Sequence, residues 1–284
     1  MIYKLKLYWR LVRLDKPIGI LLLLWPTLWA LFAAANGLPH AHILFVFILG
    51  TVLMRSAGCA VNDYFDRDVD LHVQRTQGRV LATRAIAPRE ALYVAAILGL
   101  ISLGLVMTTN PLTILLACIA AFLAVTYPLF KRFFAIPQAY LGIAFGFGIP
   151  MGFAAIQDSI PLVAWLFLLA NIFWAIAYDT EYAMVDRDDD MRLGVKSSAI
   201  TFGRYDVLVV AFCYGMTLLL LGVAGDWLGY GWMFFSALSI AALIAVKHIQ
   251  WIRGRDRQAC FKAFLHNTWI GATVFVGIAL EVLS

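Results

Sequence analysis

Nine stretches of the chain stay apolar for about 20 residues at a time, and few folds are open to a polypeptide written that way. They fall at 17–36, 41–62, 88–109, 111–128, 136–156, 161–180, 207–225, 229–248 and 262–283. A bilayer core about 30 Å thick takes about 20 helical residues to cross. A transmembrane strand takes only about ten, with alternating hydrophobicity. These runs are continuous, so the sequence predicts an all-α integral membrane protein with nine transmembrane helices. At 63% hydrophobic and 14% charged residues, the 284 positions leave no room for a second, soluble unit, and 1–284 reads as a single domain.

The basic residues sort to one side. Lys4, Lys6, Arg10, Arg13 and Lys16 precede the first run, and Arg67, Arg75, Arg79, Arg84 and Arg89 follow the second. Lys131 and Arg132, then Arg187, Arg192, Lys196 and Arg204, then Arg253, Arg255 and Arg257 fill the later even-numbered connections. The odd-numbered connections, around 37–41, 110, 157–160 and 226–228, hold no Lys or Arg. By the positive-inside rule the N-terminus is cytoplasmic, and nine spans put the C-terminus on the opposite side. The formal charge of +5 therefore follows membrane topology, and it argues for anionic membrane lipid or a phosphorylated substrate over nucleic acid. Residues 1–16, which mix basic and apolar positions, read as an interfacial segment leading into an uncleaved first span. Cys59, Cys118, Cys213 and Cys260 form no CxxC pair and imply no disulfide framework.

Two acidic clusters interrupt this pattern, both at cytoplasmic ends. The first is Asn62, Asp63, Asp66, Asp68 and Asp70; the second is Asp186, Asp188, Asp189 and Asp190, preceded by Tyr178-Asp179-Thr180-Glu181-Tyr182. If the helical period continues, Asn62, Asp66 and Asp70 stack at i, i+4 and i+8, as do Tyr182, Asp186 and Asp190. Solvated acids capping helix ends are the commoner meaning of such runs. Here each cluster follows the C-terminal end of a span, where the helix dipole disfavours carboxylates by about 0.3–1 kcal/mol each. Counter-cations are needed. Mg²⁺ suits carboxylates that leave coordination sites for water and substrate phosphates, so two Asp-rich helix ends facing each other are expected to hold one or two Mg²⁺ ions on a diphosphate. Arg75, Arg79, Lys131, Arg132 and Lys196 are the cations placed to bind its oxygens.

Arg55 is the costly residue within an apolar run, at least about 2.5–3.5 kcal/mol on insertion scales, and such residues face a cavity or a partner. It lies seven residues before Asn62, on nearly the same helical face. A structural pair with an acid such as Asp179 and a seat for a substrate carboxylate are both open. Gly142, Gly146, Gly148 and Gly152 give two four-residue spacings that favour close helix packing.

Asn62-Asp63-Tyr-Phe-Asp66-Arg-Asp-Val-Asp70 fits NDxxDxxxD, and Asp186-Arg-Asp-Asp-Asp190 fits DxxxD, the two signatures of the UbiA family of intramembrane prenyltransferases. Asp15-Lys-Pro-Ile-Gly19, Leu24-Trp-Pro-Thr-Leu-Trp29, Met54-Arg-Ser-Ala-Gly-Cys59, the segment from Tyr178 to Asp190 and Gly194-Val-Lys-Ser-Ser198 resemble the bacterial branch that prenylates 4-hydroxybenzoate. The likeness runs over nearly the whole chain. It implies a nine-helix bundle in the bacterial inner membrane, with a central cavity and a cytoplasmic cap of two Asp-rich loops. It also implies Mg²⁺-dependent transfer from a polyprenyl diphosphate to 4-hydroxybenzoate, as in ubiquinone biosynthesis. Carried over by motif, Asp66, Asp70, Asp186 and Asp190 hold Mg²⁺; Arg75, Arg79 and Lys131 meet the diphosphate; Arg55 and Asn62 meet the aromatic acid. Asp179 or Tyr182 is placed to accept or relay a proton. One stretch departs from the family: where R-P-L-x-S-G is usual, this chain has Arg79-Val80-Leu81-Ala82-Thr83-Arg84.

Other acceptors used within that family, such as homogentisate, a naphthoate, haem or a chlorophyll precursor, form the nearest alternative, and Arg55 favours an acid. A secondary transporter would place its charges near the bilayer midplane, and no D-G-x-x-A-R run of a lipid-phosphate transferase is present.

Overall fold

Every element of regular structure in the computed structural model, which describes residues 2–130, 136–194 and 196–284, is helical. In chain order these are α1 (Ile2–Leu11), α2 (Ile18–Ala35), α3 (Ala41–Asp66), α4 (Pro88–Val106), α5 (Pro111–Phe130), α6 (Pro137–Gly146), α7 (Gly148–Gln157), α8 (Leu162–Leu193), α9 (Ser198–Phe202), α10 (Asp206–Trp227), α11 (Trp232–Ile252), α12 (Arg257–His266) and α13 (Thr268–Leu283), with 3₁₀ turns at Asp70–His72 and Gly203–Tyr205. Eight helical segments among the described residues are long and apolar enough to cross a membrane, and Pro111–Tyr127 is a shorter apolar helix. Three of the eight are broken helices, and in Ser198–Trp227 a 3₁₀ turn separates α9 from α10. Pro150, lacking an N–H and crowding the carbonyl four residues back, divides α6 from α7 at Phe147. Asn267 divides α12 from α13, and its side-chain amide turns inward to Glu181 Oε2 at 2.8 Å and Ala263 O at 3.0 Å.

The longest helix, α8, is the axis of the bundle and packs against α6, α7, α10 and α12. Its buried Trp174 lies 5.4 Å from Trp29 of α2, whose indole N–H donates to Gly271 O at 2.9 Å. Glycines set the closest approaches. A Cβ on Gly142 would stand 2.9 Å from the Ile172 Cα, and one on Gly146 would stand 2.4 Å from Asn171 Nδ2. Side chains at these positions would force α6 away from α8.

Two expectations are refined at the acidic segments. Both α3 and α8 continue as helix past their apolar stretches, so the second acidic cluster lies wholly on α8 and much of the first lies on α3, not in loops. The expected i, i+4 face of Tyr182, Asp186 and Asp190 is thus helical. Asp70 is not on the Asn62–Asp66 stack, because α3 ends at Asp66 and Asp70 opens the 3₁₀ turn.

Candidate active site

The ends of α3 and α8 and the segment from Asp70 to Arg79 surround one cavity of about 2050 Å³. Arg55, Asn62, Asp63, Asp66, Asp70, Arg75, Arg79, Asp179, Tyr182, Asp186, Asp190 and Lys196 all line it, so the sequence-predicted site residues in the described segments share one space. Lys131 and Arg132 lie outside the described residues. Beyond the charged ring the wall becomes apolar, with Phe47, Leu103, Ala121, Phe145 and Met151.

Guanidinium groups hold the carboxylates in place. Arg75 forks onto Asp186, with Nε 3.1 Å from both oxygens and Nη2 2.5 Å from Oδ2, which ties the first motif region to the second. The same guanidinium lies 4.2 Å over the Tyr182 ring, itself 4.4 Å from Phe264. Arg79 bridges Asp70 at 2.7 Å and Asp63 at 3.2 Å. Asp63, whose side chain is only 3% exposed, also receives Arg13 at 2.7 Å. Burial pushes the Asp70 carboxyl up from its ordinary range while Arg79 pulls it down. Acids off these faces are held differently: Asp68, at the cavity's edge, is exposed beside Arg67 at 3.6 Å, and Asp189, outside the cavity, pairs with Arg257 at 3.2 Å.

Sequence reasoning did not single out Arg13. It was one of five cations before the first span, and its contact with Asp63 crosses 50 positions. Its left-handed backbone, φ +57°, turns the chain between α1 and α2.

Arg55 sits inside the cavity without the acid pair weighed for it: no ion pair described in the structure includes it. Nη1 approaches Cys59 Sγ at 2.8 Å, its carbon lies 5.5 Å over Phe145, and Nε is buried with no hydrogen-bond partner. Gly19 makes room for it, since a Cβ there would come within 2.7 Å of Nη2. A forked cation in an apolar wall is equipped to receive a carboxylate.

Among the described residues, no three His, Cys, Asp or Glu side chains converge closely enough to enclose a metal ion. The reason is visible: Asp63, Asp70 and Asp186 are turned to arginines. Mg²⁺ needs only one or two carboxylates when water and substrate phosphate complete its shell. Asp66, Asp70, Asp186 and Asp190 all line this cavity, and carboxylates there fit an ion that arrives with a diphosphate.

Residues 23–271 match the UbiA prenyltransferase family. The chain belongs to that family. A curated UbiA relative, 4-hydroxybenzoate octaprenyltransferase of Azoarcus sp. (strain BH72), is 62% identical over 280 residues, covering 99% of this chain and 98% of its own. Among solved structures, the apo UbiA homologue from Aeropyrum pernix K1 superposes with a TM-score of 0.81 at 23% identity, over 93% of this chain and 98% of that one. A UbiA homologue from Archaeoglobus fulgidus, bound to GPP and Mg²⁺, gives a TM-score of 0.69 at 18% identity, over 96% and 99% of the two chains. These two likenesses establish a shared UbiA membrane fold.

The stretch that departs from the UbiA pattern is also described. Arg79 keeps its place on the carboxylates, and Val80, Leu81 and Ala82 are buried beneath it. Arg84, standing where the glycine of R-P-L-x-S-G is usual, has φ +56°, a conformation glycine adopts without cost.

Proposed function

We propose that this chain transfers a polyprenyl group from a polyprenyl diphosphate to the ring carbon ortho to the hydroxyl of 4-hydroxybenzoate, with release of diphosphate, the prenylation step of ubiquinone biosynthesis. The observation that carries this reading is the arrangement of one cavity: acids and arginines from both motifs surround one part, Arg55 stands in another, and apolar wall lies around them. The 62% identity to a 4-hydroxybenzoate octaprenyltransferase over nearly both full lengths supports the choice of acceptor.

Asp66, Asp70, Asp186 and Asp190, with Asp63 beside them, would hold Mg²⁺. The bound ion would draw off the negative charge that grows on the diphosphate as its bond to the allylic carbon breaks. Arg75 and Arg79, with Lys131, Arg132 and Lys196, bind the diphosphate oxygens. Arg75 and Arg79 now neutralise Asp186 and Asp70, and a diphosphate arriving with its cation lets these charges re-pair without leaving either sign alone. Arg55, with Asn62, receives the carboxylate and fixes the ring. The apolar wall keeps water from the allylic cation, the ring carbon attacks it to form the C–C bond, and that carbon's proton passes to Asp179, or by way of Tyr182.

The chain is proposed to cross the bacterial inner membrane nine times, with α5 as the ninth span, the N-terminus cytoplasmic and the site beneath a cytoplasmic cap. Purified protein given 4-hydroxybenzoate, a polyprenyl diphosphate and Mg²⁺ is expected to release diphosphate and form the 3-prenyl product without sealed vesicles. Asp66→Ala and Asp186→Ala should each lose at least about 100-fold in turnover, equivalent to about 2.7 kcal/mol of barrier. Unchanged turnover in both, or preference for an acceptor lacking a carboxylate, rules the assignment out.

A further inference from the structure

A polar atom buried in a protein almost always has a hydrogen-bond partner, so one that lacks a partner and belongs to a cavity wall marks a place for a ligand group. Two such atoms belong to neighbouring positions of this cavity: Oε1 of Gln138 and the hydroxyl of Tyr178, on residues 5% and 1% exposed. Helix register places them together. Gly142 abuts Ile172 and Ala175, while Gly146 abuts Leu168 and Asn171, so α6 and α8 run antiparallel. One turn before Gly142, Gln138 faces the turn of α8 that carries Tyr178 and Asp179. The Gln138 side chain lies beside the Asp179 carboxylate. A carboxylate only accepts, so the amide N–H₂ of Gln138 faces Asp179 and its Oε1 is left as an acceptor. The Tyr178 ring is fixed edge-on to Trp174 at 5.3 Å, which holds its hydroxyl in place.

We propose that Gln138 and Tyr178 recognise the phenol hydroxyl of the aromatic acceptor, Gln138 Oε1 accepting its O–H and the Tyr178 O–H donating to its oxygen. The assignment rests on the functional reading above, in which Arg55 takes the acceptor's carboxylate. Spacing agrees with a para-substituted ring. Phe145, beneath Arg55, lies seven residues after Gln138 on α6, about 10 Å along the helix. A 4-hydroxybenzoate ion with a hydrogen bond of about 2.8 Å at each end bridges such a gap. Held at both ends, the ring has one rotational freedom left, and the carbon beside the hydroxyl is the one brought toward the diphosphate ring of charge. Acceptance of the O–H by Gln138 also raises electron density at that carbon, the nucleophile of the reaction. Asp179 acts on this contact only through Gln138, as a positioning residue.

The test compares binding of 4-hydroxybenzoate with that of benzoate, which lacks only the hydroxyl, to the purified full chain by calorimetry or competition. Gln138→Leu and Tyr178→Phe keep side-chain volume nearly constant. Wild-type protein is expected to prefer the hydroxylated acid, and each variant to lose about five- to tenfold of that preference, the effect of one buried hydrogen bond. Benzoate affinity and KM for the prenyl diphosphate should stay within about twofold, a split that general loosening of α6 or α8 would not give. Full preference retained in both variants overturns the assignment alone. Wild-type protein that binds neither acid overturns the functional reading, and this assignment with it. The two substitutions lie on different helices, so misfolding of one leaves the other to decide.

Discussion

At the scale of single residues, the acids of the first motif differ in what surrounds them. Asp63 is buried between Arg13 and Arg79, whereas Asp66 and Asp190 are less buried on the same cavity wall. Asp63→Asn would leave two guanidinium groups without their shared carboxylate. Breaking a fully buried pair costs about 3–5 kcal/mol; partial exposure of Arg13 and Arg79 reduces the expected loss here to about 1–3 kcal/mol. A melting curve in detergent should show a clear fall for Asp63→Asn and little change for Asp66→Asn and Asp190→Asn, with turnover lost in the latter two. Equal melting temperatures in all three would contradict the division. The motif spacing made the acids legible, because carboxylates at helix C-termini are anomalous in any fold. It did not make the Arg13 contact legible, since nothing local distinguishes one juxtamembrane cation from the next. The departure at residues 79–84 has a conformational consequence as well. Arg84 holds φ +56°, which costs a residue with a Cβ about 1 kcal/mol, and it lies outside the cavity wall. Arg84→Gly is therefore expected to raise stability by about 0.5–1 kcal/mol with turnover unchanged; a lower melting temperature would show that the guanidinium holds the loop in another way.

At the scale of helices, apolar runs of about 20 residues were enough to locate eight helical segments that are long and apolar enough to span, because lipid imposes length and composition together. Hydropathy could not show that α3 and α8 continue past the bilayer, since polar helical turns and polar loops read alike. Nor could it show the break at Asn267, where the side chain supplies hydrogen bonds that let the backbone bend inside a continuous apolar run. The glycines near 142–152 were read as packing positions, and Gly142 and Gly146 do lie where α6 meets α8. Gly142 is the less forgiving of the two, because its nearest neighbour is the Ile172 backbone and not a mobile side chain. Gly142→Ala should cost about 1–3 kcal/mol by overpacking and, by tilting α6, weaken acceptor binding through Arg55 and Gln138. Gly104→Ala on α4, where a Cβ meets nothing within 4 Å, should be neutral or slightly stabilising. Thermal melts and acceptor KM for the pair would test this, and equal behaviour of the two would remove the packing argument.

At the scale of the molecule, three ion pairs support the proposed nine crossings of the bilayer. Arg13 meets Asp63 across α2 and α3, Arg75 meets Asp186 across α4, α5, α6–α7 and α8, and Arg257 meets Asp189 across α10 and α11. Residues in contact at the water-facing ends of helices share one side, so the number of crossings between partners must be even. Between residues 75 and 186 three helical segments are long enough to span by themselves, an odd number, and on the proposed topology the short apolar helix that begins at Pro111 is the fourth. The basic residues agree: without a crossing by α5, the cations after α2–α3 and those after α8 would fall on opposite sides. On the same proposed topology the α12–α13 segment, which begins at Arg257, is the last crossing and would carry the C-terminus to the other face. A membrane-impermeant maleimide applied to sealed, right-side-out vesicles should therefore label a cysteine introduced at Ser284 and spare one at Ile2 until the vesicles are opened. Labelling of both positions, or of neither, would mean an even number of spans and a bundle in which α5 does not reach the far side.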